Sequence, residues 1–124
     1  MRPFALLLPV LLGACSRAEP TPPARFHHFV FLGLTDPSQA DALVKECEER
    51  LPRIPGVVAM ACGRPVDLGR PEVTADFDVG LHLGFDTRAH LEGYPGHAEH
   101  VALLATWRPR VKSLRIHDVE DRTP

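Results

Sequence analysis

The order of hydrophobic patterns along the chain is the feature that most limits its possible folds. Aromatic, β-branched and other apolar residues fill four segments, 26–34, 57–63, 75–85 and 111–119, which are predicted to be strands. Two stretches with apolar residues at helical spacing divide these strands in the order β-α-β-β-α-β. This order predicts a ferredoxin-like α+β fold, an antiparallel sheet with two helices on one face.

Capping and breaking residues mark where these helices begin and end. Asp36 precedes Pro37, a combination that typically starts a helix, and apolar residues then recur at helical spacing. The second helical pattern has two pieces, residues 88–93 and 97–107, because Tyr94-Pro95-Gly96 interrupts it. We therefore expect a broken second helix.

A sheet with helices on one face leaves its second face without cover. The strands carry more large apolar side chains than one face can hold: Phe26, Phe29, Phe31, Val57, Val58, Met60, Phe77 and Leu81. A single chain would expose a larger apolar patch than soluble monomers usually tolerate. We therefore predict a homodimer, with two sheets packed face to face as a dimeric α/β barrel.

The start of the chain resembles a bacterial lipoprotein signal. Arg2 is followed by an apolar run over residues 4–12, and small residues then lead into Cys15. This run is far shorter than the ~20 residues that span a bilayer. The resemblance implies that lipid is attached to the Cys15 thiol after residues 1–14 are removed. An ordinary secretory signal is the alternative.

Lipidation would anchor the folded part to a membrane of the bacterial cell envelope, facing the periplasm. Residues 15–24 are rich in proline and small polar residues and would form a flexible tether to a domain over 25–120, with a polar tail over 121–124. Ser16 after the cysteine favours the outer membrane. The net charge of −2 and the absence of a basic run argue against a nucleic-acid partner.

Two further cysteines leave two alternatives open. Cys47 lies on the apolar side of the first predicted helix, and Cys62 lies in the second predicted strand. In an oxidising envelope they could form a disulfide, whereas two buried thiols would fit the same apolar surroundings. No Cys-x-x-Cys spacing points to a metal site.

The folded part resembles the stress-responsive dimeric α/β-barrel family, the Dabb domains. The resemblance covers residues 26–120 and is carried by residues 28–32, 54–57 and, most specifically, 94–101. It implies a dimeric barrel with a small cavity between the sheet and the second helix. Most members of the family have no assigned activity, and the resemblance to a few that act on polyketide-like molecules implies a histidine and a tyrosine lining that cavity.

Four residues near the broken helix form the candidate site. By motif position, the resemblance gives possible catalytic roles to His100 and Tyr94, and ligand contacts to His28 and His97. Imidazole, with a pKa of ~6.5, exchanges a proton near neutral pH, and a phenol can donate to an enolate oxygen. A purely structural role, binding of a small aromatic or polyketide-like ligand, and cyclase- or isomerase-like catalysis all remain open. No metal or cofactor is predicted, although three histidines could in principle bind zinc.

Other polar and aromatic residues are interpreted as structural. Asp76 and Asp78 share the polar side of the third strand and are expected to be solvated or paired with an arginine. His82 is expected at the surface, and Trp107 in the core.

Overall fold

The computed structural model describes residues 13–124, so residues 1–12 of the predicted signal peptide lie outside the described part. Residues 13–25 form no helix or strand, and Cys15 is exposed. From residue 13 onward, no helix has both the length and the apolar character needed to cross a membrane. Signal cleavage, lipid attachment and localisation therefore stay predictions.

The elements follow the predicted order. They are β1 (Phe26–Leu34), α1 (Ala40–Arg50), β2 (Val57–Gly63), β3 (Val79–Phe85), α2 (Arg88–Gly93), α3 (Ala98–Trp107) and β4 (Val111–Glu120). A short 3-10 turn, Tyr94–Gly96, separates α2 from α3 as expected from the sequence. The strands form one antiparallel sheet in the order β2-β3-β1-β4. The ferredoxin-like fold is thus confirmed.

One face of the sheet, here called the helix face, packs against α1, α2 and α3. Buried residues from strands and helices join there in one apolar cluster that includes Val30, Leu34, Leu43, Cys47, Val79, Leu81, Leu83, Phe85, Leu103 and Trp107. Side chains along a strand alternate between faces, so every second residue of β1 and β3 contributes. Trp107 belongs to this core, as predicted.

The opposite face, here called the open face, has no helix from residues 13–124 over it. Phe29 and Phe31 of β1 lie there with Phe77, whose ring centroid is 5.0 Å from that of Phe31. His82 is half-buried on this face rather than freely exposed, because its ring packs 4.8 Å from Phe29 and its Nε2 lies 2.9 Å from Nδ1 of His27. The apolar residues of the strands are therefore divided between both faces.

The third strand begins later than predicted, at Val79 instead of residue 75. Asp78 explains the difference, because its carboxylate accepts a hydrogen bond from the backbone nitrogen of Leu34 at 2.7 Å. Beyond this residue the chain leaves the sheet. Asp76 forms the expected pair with Arg115, with contacts of 2.6 and 2.8 Å, whereas the interpretation of Asp78 as solvated or arginine-bound was wrong.

Candidate functional site

A cavity of about 460 Å³ lies between the helix face and the helices. Most of its lining is apolar and comes from β1, α1, β3, α3 and β4: Val30, Leu32, Leu43, Leu81, Leu103, Leu104, Trp107, Val111, Leu114 and Ile116. His28, Tyr94 and His100 also line it. This size and this mixture of apolar wall and few polar groups are typical of small-molecule sites.

The strand register shows which residues lie at each end of the cavity. His28 lies opposite Asp118, whereas Leu32, four residues further along β1, lies opposite Leu114. The histidine therefore marks one end, and Leu114 with Arg108 marks the other. Leu114 is 54% exposed, so this apolar end opens to solvent.

His28 is buried and held by a carboxylate. Its Nδ1 lies 2.6 Å from Oδ1 of Asp118 on the neighbouring strand. A carboxylate only accepts hydrogen bonds, so the imidazole donates from Nδ1. In the neutral ring, Nε2 is then an acceptor.

Asp118 is a site residue that the sequence pattern did not predict. The residue sits near the end of an edge strand, where an aspartate is usually solvent-exposed, and only the β1–β4 register brings it opposite His28. The alternation of Leu114, Ile116 and Asp118 along β4 is a signal that could have placed it on the helix face.

His100 lies in α3 and is oriented by the break in the helix. Its Nδ1 is 2.9 Å from the carbonyl oxygen of Pro95, which can only accept, so the ring donates there and Nε2 is free to accept. Burial lowers the pKa of His100, and His28 lowers it further, while the hydrogen bond to Pro95 acts in the opposite direction. His100 is therefore neutral at neutral pH.

Tyr94 lies between the two histidines. Its ring centroid is 5.2 Å from that of His28 and 4.4 Å from that of His100. Burial raises the pKa of the phenol, with a smaller contribution from Cys47. The hydroxyl therefore keeps its proton and can donate it in a hydrogen bond.

His97 takes a different place from the other three residues. It caps the start of α3, where its Nδ1 accepts a hydrogen bond from the backbone nitrogen of Glu99 at 3.2 Å. It is not among the residues that line the cavity. The structure thus brings three of the four predicted site residues together and gives His97 a helix-capping contact.

The three polar groups can bind or polarise an oxygen-bearing molecule. The phenol offers a donor, and two imidazole Nε2 atoms offer acceptors beside an apolar space. In the part of the chain that the structure describes, no group of three or more His, Cys, Asp or Glu side chains is arranged to hold a metal ion.

Solved structures with this fold come from several organisms. A Dabb family protein with a ferredoxin-like fold from Mesorhizobium loti is 22% identical, with a TM-score of 0.67 over 82% of this chain and 100% of that one. A dimeric ferredoxin-like protein of unknown function from Thermobifida fusca is 20% identical, with a TM-score of 0.65 over 79% and 92%. A protein from Arabidopsis thaliana is 15% identical, with a TM-score of 0.67 over 80% and 97%. These likenesses support the fold.

The family follows from the sequence itself. No curated protein matches the chain significantly. The model of the stress responsive A/B barrel domain, Dabb, matches residues 26–121, which is nearly all of the folded part. The chain therefore belongs to the Dabb family of stress responsive A/B barrel domains.

Proposed function

We propose that this protein is an envelope-anchored, stress-related domain that binds a small, mainly apolar molecule with a carbonyl or phenolic group. One observation carries the proposal: His28, Tyr94 and His100 converge at one end of an apolar cavity of about 460 Å³. The apolar wall would hold the body of the ligand, and the three polar groups would fix its oxygen atoms.

Calorimetric titration tests this proposal with a series of hydroxyaryl ketones that carry alkyl chains of increasing length. Affinity should rise with chain length, because each buried methylene contributes ~0.8 kcal/mol. Tyr94→Phe keeps the ring but removes the donor and should weaken binding. Arg88→Gln, on the exposed side of α2, is the matched control. Affinity that is independent of both chain length and the Tyr94 hydroxyl would contradict the proposal.

A second candidate is an enzyme of the cyclase or isomerase type. It is favoured by the fixed orientation of His100, whose Nε2 is left as an acceptor while Pro95 holds Nδ1. His100 would abstract a proton next to a carbonyl, and Tyr94 would donate to the developing enolate oxygen. Turnover lost in His100→Ala, with binding retained, would support the enzyme. Binding without turnover in every variant would support the binding domain.

The proposed anchor is a lipid on Cys15. Its support is the signal-like pattern of residues 1–15 together with the exposed, irregular segment that follows the cysteine. Labelled palmitate should be incorporated into the natural chain and not into Cys15→Ser. Labelling of both chains, or of neither, would count against the anchor.

We also propose a homodimer that buries the open face. Its support is the aromatic surface formed by Phe29, Phe31 and Phe77, and the dimeric state of the relative from Thermobifida fusca.

A further inference from the structure

Cys47 and Cys62 form a thiol pair that the proposed function does not use. Cys47, on α1, is 2% exposed, and Cys62, on β2, is half-buried against the same apolar cluster. Both point to the helix face, since Cys62 lies opposite Leu81 in the β2–β3 register. Helix α1 packs against β2, and both thiols are free.

Their interaction makes the two sulfur atoms chemically unequal. It is the largest cause of two opposite shifts, lowering the pKa of Cys62 and raising that of Cys47. Burial raises the pKa of Cys47 further, because the thiolate is poorly solvated there. Cys62, which is also the more exposed of the two, is therefore the nucleophile.

We propose that Cys47 and Cys62 are a redox-active dithiol that closes into an intramolecular disulfide joining α1 to β2. The oxidant is a small-molecule or protein disulfide. The Cys62 thiolate attacks one sulfur of that disulfide, which releases one thiolate and leaves a mixed disulfide on Cys62. Cys47 then loses its proton and attacks Sγ of Cys62, which releases the second thiol. Two thiols are oxidised with loss of two electrons and two protons, and one disulfide is reduced to two thiols.

The second step is feasible because the first step removes its main obstacle. The pKa of Cys47 is raised chiefly by its interaction with Cys62. Once Cys62 is part of a mixed disulfide, no thiolate remains there to oppose the ionisation of Cys47. Cys47 can then ionise more readily, next to the sulfur that it attacks.

Oxidised glutathione and peptide mapping test the proposal on the full chain. After incubation, free thiols are blocked and the protein is digested with trypsin without reduction. Cleavage after Lys45, Arg50, Arg53 and Arg88 places Cys47 in residues 46–50 and Cys62 in residues 54–88, while Cys15 falls in a separate peptide. The expected product is a disulfide-linked pair of these two peptides, and its mass should be about 2 Da below the sum of the reduced peptides.

Two variants and a melting curve complete the test. Cys62→Ser and Cys47→Ala should each abolish the linked pair. If Cys47→Ala does not fold, Cys62→Ser alone tests whether the linked pair is lost. The oxidised natural chain should melt about 10 °C above its reduced form, because the bond constrains the unfolded chain. The proposal is overturned if both thiols remain alkylatable in the folded protein, or if glutathione stays on Cys62 without ring closure.

Discussion

The contact between His28 and Asp118 decides which nitrogen of a buried ring faces the cavity. In Asp118→Ala, Nδ1 of His28 loses its partner. We expect the free energy of unfolding to fall by about 1 kcal/mol, less than is usual for a bond to a charged group because the Asp118 side chain is 54% exposed. Urea unfolding measures the loss, and nitrogen NMR shifts of His28 should show a mixture of tautomers. Glu120→Ala, on the same strand, is the control and should preserve the tautomer.

His100 gives the site a defined pH dependence. Because burial lowers its pKa, the unfolded chain binds a proton at this residue more readily than the folded protein does. The contribution of His100 to stability is therefore intact above the unfolded pKa of ~6.5 and decreases as the pH falls below it.

The substitution His100→Gln should make the decline in the free energy of unfolding less steep between pH 7 and pH 5. Urea titrations at fixed protein concentration measure that slope. His90→Gln, on exposed α2, removes a histidine outside the cavity and serves for comparison. An unchanged slope in His100→Gln would show that the proton is bound elsewhere.

At the scale of elements, the turn before β2 depends on a glycine. Gly56 has a φ of +86°, and a Cβ there would meet the ring of His90 on α2. Gly56→Ala therefore combines a left-handed backbone with a clash, and we expect a cost of about 1–3 kcal/mol.

Substitutions at Gly69 and Gly96 separate the effect of the left-handed backbone from that of the clash. Gly69 has a φ of +69° but open space around it, so Gly69→Ala tests the backbone strain alone. Gly96 has neither a positive φ nor a neighbour within 4 Å, so Gly96→Ala should have little effect. Urea unfolding should rank the three losses in that order, with Gly56→Ala the largest. Equal losses for Gly56→Ala and Gly69→Ala would exclude the clash with His90.

The elements themselves were largely predictable, because periodicity and capping residues act locally. Thr87 caps α2 by such a local contact, since its hydroxyl accepts a hydrogen bond from the backbone nitrogen of His90. The start of β3 was not predictable, because it depends on a bond between Asp78 and Leu34 across the sheet. Asp118 was missed for the same reason, since strand register is a property of the folded chain.

At the scale of the whole molecule, the open face should control assembly. Phe31→Asp places a charge in the aromatic surface that the proposed dimer buries, and it should convert the protein to a monomer. Light scattering at micromolar concentration measures the mass. Val101→Asp is the control, because Val101 is 52% exposed on α3, on the opposite side of the sheet. If only Val101→Asp lost the dimer, the interface would lie on the helices instead of on the open face.

The same interface should respond to acid. His27 and His82 share one hydrogen bond on the open face, which requires one ring to donate and the other to accept. Burial lowers the pKa of His82, and His27 and His28 lower it further. Other charged or titratable groups lie nearby. Asp121 lies near both His27 and Arg25, Arg115 pairs with Asp76, and His117 lies beside Phe31.

Protonation of His82 places a positive charge on the open face, so acid should weaken a dimer that buries this face. The dimer dissociation constant should increase at least about tenfold between pH 7.5 and pH 5, which corresponds to ~1.4 kcal/mol. His82→Gln keeps a hydrogen-bonding side chain without the titration and should flatten this dependence, whereas His90→Gln should not. Sedimentation equilibrium measures the constant. A dimer equally stable at both pH values would mean that His27 and His82 lie outside the interface.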